Sequence, residues 1–189
     1  MKILYLNILF ALSLLGFCAC DDGDSFTDSP SNLLSFSVDT VRFDTIFSTV
    51  PSSTRSFWVH NRSGKGLRCT NVRLEGGNQS GYRVNVDGVY LSPEQGYKAN
   101  DIEVRDKDSI RVFVELTSNV TFTDKPKELN DNLVFTLESG RQQKVVLNAF
   151  SWDAMLLKDV TISKDSTLAS SGKPMVVYGG LTFAFTRRT

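Results

Sequence analysis

Tyr82-Arg83-Val84-Asn85-Val86-Asp87-Gly88-Val89-Tyr90-Leu91 is the stretch that decides the fold. Two short runs rich in β-branched and aromatic residues flank Asp87-Gly88. Asp and Gly both tolerate positive φ, which a two-residue type I′ turn requires at both central positions, so the pattern predicts a tight β-hairpin. Working outward, Leu133/Phe135/Leu137 and Val145/Leu147/Ala149 alternate in the same way around Glu138–Arg141, a second hairpin. Further strand-length runs are Ser56–His60, Leu67–Leu74, Ile102–Val104 and Ile110–Leu116. Phe36, Val38 and Thr40 alternate, Val41 and Phe43 continue on the opposite parity, and Ile46 and Phe47 lie beyond. Turn signals separate the runs at Asn61–Gly64, Glu75–Asn78, Arg105–Asp108 and Ser139-Gly140. In Cys69–Leu74 the alternation changes parity, which a β-bulge near Thr70-Asn71 explains. Seven or more short strands with frequent turns predict an all-β, antiparallel β-sandwich.

Composition agrees. The chain has 189 residues, 41% hydrophobic and 22% charged, enough to bury a core. It carries 13 Phe, and Leu- or Ala-rich helical stretches are missing after residue 20. Lys plus Arg equals Asp plus Glu, so there is no basic field to gather nucleic acid.

The first residues read differently. Met1-Lys2 is a short positive start, and Ile3–Phe17 is apolar except for Asn7 and Ser13. That run is shorter than the roughly 20 residues of a membrane span and suits the h-region of a secretory signal. Phe17-Cys18-Ala19-Cys20 follows, with small Ala19 directly before Cys20. This resembles the lipobox of bacterial lipoproteins, in which the cysteine becomes the first residue and is acylated; the resemblance implies lipidation at Cys20. Cys18, preceded by bulky Phe17, fits less well, and Phe17 stands where Leu is usual. Each buried methylene contributes about 0.8 kcal/mol to membrane affinity, so more than one acyl chain makes a stable anchor. The expected organisation is a signal peptide over 1–19, an acidic, Ser-rich tether over 20–32, a sandwich over 33–153 and a strand extension over 154–189.

Asp21-Asp22-Gly23-Asp24-Ser25 is similar to the acidic export signal that follows the acylated cysteine in surface lipoproteins of gut-type anaerobic Gram-negative bacteria. It also reads as a solvated tether. A calcium loop fails, because position twelve falls on Asn32, Leu33 or Ser35 rather than Glu.

Ser56-Phe57-Trp58-Val59-His60-Asn61-Arg62-Ser63-Gly64, then Leu67 and Val72, Gly76-Gly77 and Tyr82-Arg83-Val84, resembles the immunoglobulin-like modules of exported bacterial proteins. The run from Leu33 to Val160 looks like the N-terminal domain of gut-type bacterial lipoproteins that continue into a right-handed parallel β-helix. That resemblance implies that Asp159–Asp165 and Lys173–Tyr178 lead into the first coils, whereas this chain stops after Leu181–Thr189. A β-helix needs several stacked coils. The expectation is either a truncated product or a tail that folds back on the sandwich.

No constellation for catalysis emerges, and no cofactor is expected. His60, the only histidine, sits at a strand end and reads as a surface or hydrogen-bonded residue. His and Cys are too few for a zinc cage. Cys69, the only cysteine inside the domain, reads as a buried, inert thiol. Asp106 and Asp108 lie in a turn beside Arg105 and Lys107, where solvated charge is the default. Trp58, Trp152, Tyr90 and Tyr97 are candidates for a sugar platform, though core packing is the favoured reading. Asp39-Thr40-Val41, Asp44-Thr45-Ile46, Asp108-Ser109-Ile110 and Asp165-Ser166-Thr167 resemble the Asp-Ser/Thr-apolar acceptor of a general O-glycosylation system of such bacteria. Thr40, Thr45, Ser109 and Ser166 are therefore candidate acceptors.

The sequence thus predicts a non-catalytic, lipid-anchored protein of the cell envelope, held at the outer membrane and displayed on the surface. Its sandwich would serve as a spacer or a binding or adhesion module, with an envelope protein or a glycan as partner. The alternative is a piece of a β-helix lipoprotein that binds or processes polysaccharide. A third reading lends the tail Leu181–Phe185 to a partner's sheet edge.

Overall fold

The computed structural model describes residues 25–77, 79–170 and 172–184. The signal region, Cys20 and Asp21–Asp24 lie outside them. In chain order the strands are β1 (Leu34–Phe36), β2 (Thr40–Phe47), β3 (Arg55–Asn61), β4 (Leu67–Leu74), β5 (Tyr82–Val86), β6 (Val89–Tyr90), β7 (Lys98–Val104), β8 (Ser109–Leu116), β9 (Lys127–Leu137), β10 (Gln142–Trp152), β11 (Met155–Ile162) and β12 (Met175–Phe183). A 3₁₀ turn, Pro93–Gln95, interrupts them.

Two five-stranded sheets form an immunoglobulin-like β-sandwich, ordered β1-β3-β8-β5-β6 and β2-β10-β9-β4-β7. Neighbours pair antiparallel, apart from β2, which runs parallel to β10 at the edge of the second sheet. The parity change between Val38 and Val41 now has a cause. β1 belongs to the first sheet and β2 to the second, so the chain crosses the sandwich there.

The Asp87-Gly88 hairpin is as predicted. Val86 faces Val89, φ is 49° at Asp87 and 86° at Gly88, and Asn85 Oδ1 accepts from the Gly88 N–H at 2.8 Å. The β9–β10 hairpin closes with Leu137 N–H donating to Arg141 O at 2.9 Å. The bulge also stands: against β9, Cys69 pairs with Leu137 and Asn71 with Thr136, so two residues of β4 face one. β7 and β9 extend further than their apolar runs suggested, through the polar segments Lys98–Asp101 and Lys127–Asp131.

Inward-facing residues of both sheets make one core. Phe57, Tyr82, Val84, Val112 and Leu116 of the first sheet meet Leu67, Val72, Leu133, Phe135 and Leu147 of the second. Each such side chain contributes about 1.5–3 kcal/mol when fully buried. Phe36 packs on Phe135 with ring centres 5.1 Å apart, and Phe43 on Tyr82 at 5.9 Å. Backbone needs are local: Gly81 has φ +81°, and a Cβ there would lie 2.2 Å from Thr117 O.

The registers place the turns 62–66, 87–88, 105–108 and 138–141 at one end of the sandwich. The connections 47–54, 75–81, 91–97 and 117–126, and the exit to β11, lie at the other. Beyond that exit, among the described strands, β11 and β12 pair only with each other, in parallel, Met155 facing Met175 and Ile162 facing Phe183. At the first end, Ser25–Thr27 joins the fold as a short parallel bridge to Gly66.

Candidate binding face

Period-two alternation sends every second residue of the first sheet outward. In β8 the inward set is Ile110, Val112, Val114 and Leu116; the outward set is Arg111, Phe113 and Glu115. Cross-strand register lines these up with outward residues of the neighbouring strands. Ser56, Phe113, Asn85 and Tyr90 form one transverse row, Trp58 and Arg111 a second, and Glu115 and Arg83 a third.

Trp58, Tyr90 and Phe113 are large apolar side chains exposed on a sheet face: Trp58 is 42% and Tyr90 44% exposed. The Arg111 guanidinium lies over Trp58 at 5.2 Å and over Phe113 at 5.0 Å from the ring centres. Its Nη2 donates to Ser56 Oγ at 3.0 Å, which leaves other N–H groups of the fork for an outside acceptor. In the third row the Thr54 hydroxyl donates to Glu115 Oε1 at 2.6 Å and Arg83 Nη2 to Oε2 at 3.1 Å. Those two donors hold the Glu115 carboxyl below its ordinary value, against the effect of burial. Arg83, Asn85, Tyr90, Phe113 and Glu115 line a shallow hollow of about 160 Å³. The face thus sets stacking surfaces beside fixed donors and acceptors, and among the described residues no nucleophile–base pair faces it.

The four residues considered for a sugar platform divide. Trp58 and Tyr90 share this face, whereas Tyr97 packs against the core and half-buried Trp152 ends β10 in the opposite sheet. Arg111, Phe113, Asn85, Arg83 and Glu115 were not singled out by sequence. Their signal was available in β8, where the parity opposite the valines carries Arg, Phe and Glu rather than Ser, Thr or Lys.

Other predicted positions fall elsewhere and do not converge. Thr40 and Thr45 lie on edge strand β2, the second exposed. Ser109 opens β8 opposite His60, and Ser166 is exposed in the β11–β12 connection, where its hydroxyl donates to Lys164 O. Asp106 Oδ1 accepts from the Gly64 N–H at 2.9 Å and Asp108 Oδ1 from the Ser109 N–H at 2.7 Å, so both carboxylates bond to nearby backbone. Cys69 is buried and, among the described residues, has no disulfide partner; burial pushes its thiol up to about 12. Among the described residues no group of three His, Cys, Asp or Glu side chains is placed to hold a metal ion, and no helix is long and apolar enough to cross a membrane.

No family model and no curated protein sequence matches the chain. Among solved structures it is similar to a protein of unknown function from Porphyromonas gingivalis, with 12% identity and a TM-score of 0.44 over 71% of this chain and 61% of that one. It is also similar to a family 123 glycoside hydrolase from Clostridium perfringens (5% identity, TM-score 0.41, 64% of this chain and 25% of that one). A third is the CooA pilin subunit of enterotoxigenic Escherichia coli, with 10% identity and a TM-score of 0.40 over 62% of this chain and 96% of that one. The chain thus spans a quarter of the hydrolase's length and 61% of the Porphyromonas protein's.

Proposed function

We propose that the protein is a non-catalytic lipoprotein of the cell envelope, acylated at Cys20, whose sandwich serves as a spacer and binding module. The observation that carries the binding role is the outward cluster of Trp58, Arg111, Phe113 and Tyr90, from two adjacent rows of one sheet face. The stacking faces and the Asn85, Arg111 and Glu115 polar groups suit a glycan, whose rings offer C–H faces to aromatics and hydroxyls to donors and acceptors. Affinity electrophoresis through gels containing envelope polysaccharide tests this. Retardation of the native protein, lost in Trp58→Ala and Arg111→Ala with folding intact, supports it; equal mobility of all three on every polysaccharide removes the binding role.

Anchoring at the outer membrane with surface display is supported by Ala19-Cys20 and by the acidic run Asp21–Asp24. A Cys20→Ala variant should leave the membrane fraction. Protease shaving of intact cells should remove the native protein, and protection until lysis would count against surface display.

A second reading, a β-helix lipoprotein that binds or processes polysaccharide, draws on β11 and β12. Met155 meets Met175 twenty positions later in a parallel pair, the relation between successive coils of a β-helix. The pair leaves Leu156, Val177 and Phe183 exposed. A downstream reading frame of short, Gly- and Asn-punctuated strand repeats would favour that reading.

A further inference from the structure

Resting on the proposed acylation of Cys20, we infer that the Phe26 contact is a clasp that fixes which end of the sandwich faces the membrane. The surface it faces is a lipid bilayer, the chemistry implied by acyl chains on Cys20.

Sequence alone assigns residues 20–32 to a free tether. The structure instead fastens the chain at Ser25–Thr27. Thr27 N–H donates to Gly66 O and Gly66 N–H to Ser25 O, both at 3.0 Å. Lys65 Nζ donates to Ser25 Oγ at 2.8 Å. The Phe26 ring lies against Gly66, where a Cβ would come within 2.9 Å of it, and the Arg68 guanidinium covers the ring at 4.9 Å. Arg68 is itself held by Glu103 at 2.8 Å. Backbone, ring and ion pair therefore converge on three residues that the sequence placed in a solvated linker.

The consequence is one of length. From Cys20 to Ser25 the chain can reach at most roughly 18 Å, whereas a tether free as far as Leu34 could reach roughly 50 Å. The clasped end carries the turns 62–66 and 105–108 and must stay within the shorter distance of the anchor. β9 and β10, each of 11 residues, extend away from that end for roughly 37 Å. The exit to β11 sits at their far end, so the β11–β12 pair is carried outward. The sandwich acts as an upright spacer with a defined membrane side.

The test uses the acylated protein extracted from membranes and reconstituted in vesicles with acceptor-labelled headgroups. Cys69 is buried, so single thiols can be introduced for a donor dye, at Arg62→Cys on the clasped end and at Gln95→Cys on the far end. Energy transfer is expected to be at least twofold greater from position 62 than from position 95. That difference should collapse in both Phe26→Ser and Gly66→Ala, the second displacing the ring without removing it, with melting curves confirming that each folds. Equal transfer from the two ends of the native protein, or a difference unchanged in both clasp variants, overturns the inference while leaving acylation intact. An intact mass lacking acyl chains overturns the acylation and the inference together.

Discussion

Asp153 shows how much one side chain can couple. It is buried where β10 gives way to β11, accepts from the Thr121 N–H at 2.8 Å, and has Lys173 Nζ at 3.8 Å. Burial alone would push its carboxyl up, but the donors from Thr121, Ser48 and Phe122 outweigh it and hold the group at about 2, below the ordinary 3.8. A carboxyl depressed on folding contributes stability that is present above its ordinary value and lost as pH falls from about 4 to about 2. Melting temperature should therefore fall across that window, and Asp153→Asn should flatten the fall while lowering stability at pH 7 by about 1–3 kcal/mol, since a buried N–H loses its charged acceptor. Cys69 is the opposite case. Burial raises its thiol from 9.0 to about 12. At pH 8 alkylation of the folded protein should be roughly a thousandfold slower than in denaturant, following the thiolate fraction. Comparable rates in the two states would mean that the site is open.

At the scale of elements, sequence reading succeeds where one residue type has one conformational meaning. Asp87-Gly88 could be read as a hairpin because few residues accept positive φ twice in succession, and the bulge near Thr70-Asn71 because one inserted residue reverses side-chain parity. It falls short where the cause is non-local. Lys98–Asp101 and Lys127–Asp131 are strands because neighbours pair with their backbones, which their polar side chains do not signal. The parallel docking of β2 beside β10, whose paired residues such as Thr40 and Val146 lie far apart in sequence, leaves no mark in local alternation. The binding face was half legible: Trp58 and Tyr90 drew attention as aromatics, but Arg111 becomes notable only once register sets it between Trp58 and Phe113. The Phe26 clasp had no sequence signal, since a lone Phe amid Asp and Ser looks like linker. Gly81 gives this scale its prediction. Its φ of +81° and the nearby Thr117 carbonyl leave no room for a methyl group, so Gly81→Ala should destabilise by more than about 1 kcal/mol in urea unfolding. A neutral outcome would mean that the β5–β8 junction relaxes freely.

At the scale of the molecule, the sandwich and the β11–β12 pair differ in how they are held. The sandwich shares one core, whereas among the described strands β11 and β12 pair only with each other and keep Met175, Val177, Tyr178 and Phe183 about half exposed. A variant lacking residues 154–189 should therefore melt within a few degrees of the full chain; loss of cooperative unfolding would show that the extension completes the core. In the account we propose, the molecule is an anchored spacer: lipid at Cys20, a clasp at Phe26, a sandwich with an aromatic–arginine face, and a strand pair carried at its far end. The intact mass of the native protein recovered from the membrane fraction tests that account most directly. A mass equal to a chain beginning at Cys20 plus acyl chains is predicted. A mass without lipid, or one that retains residues 1–19, would contradict it.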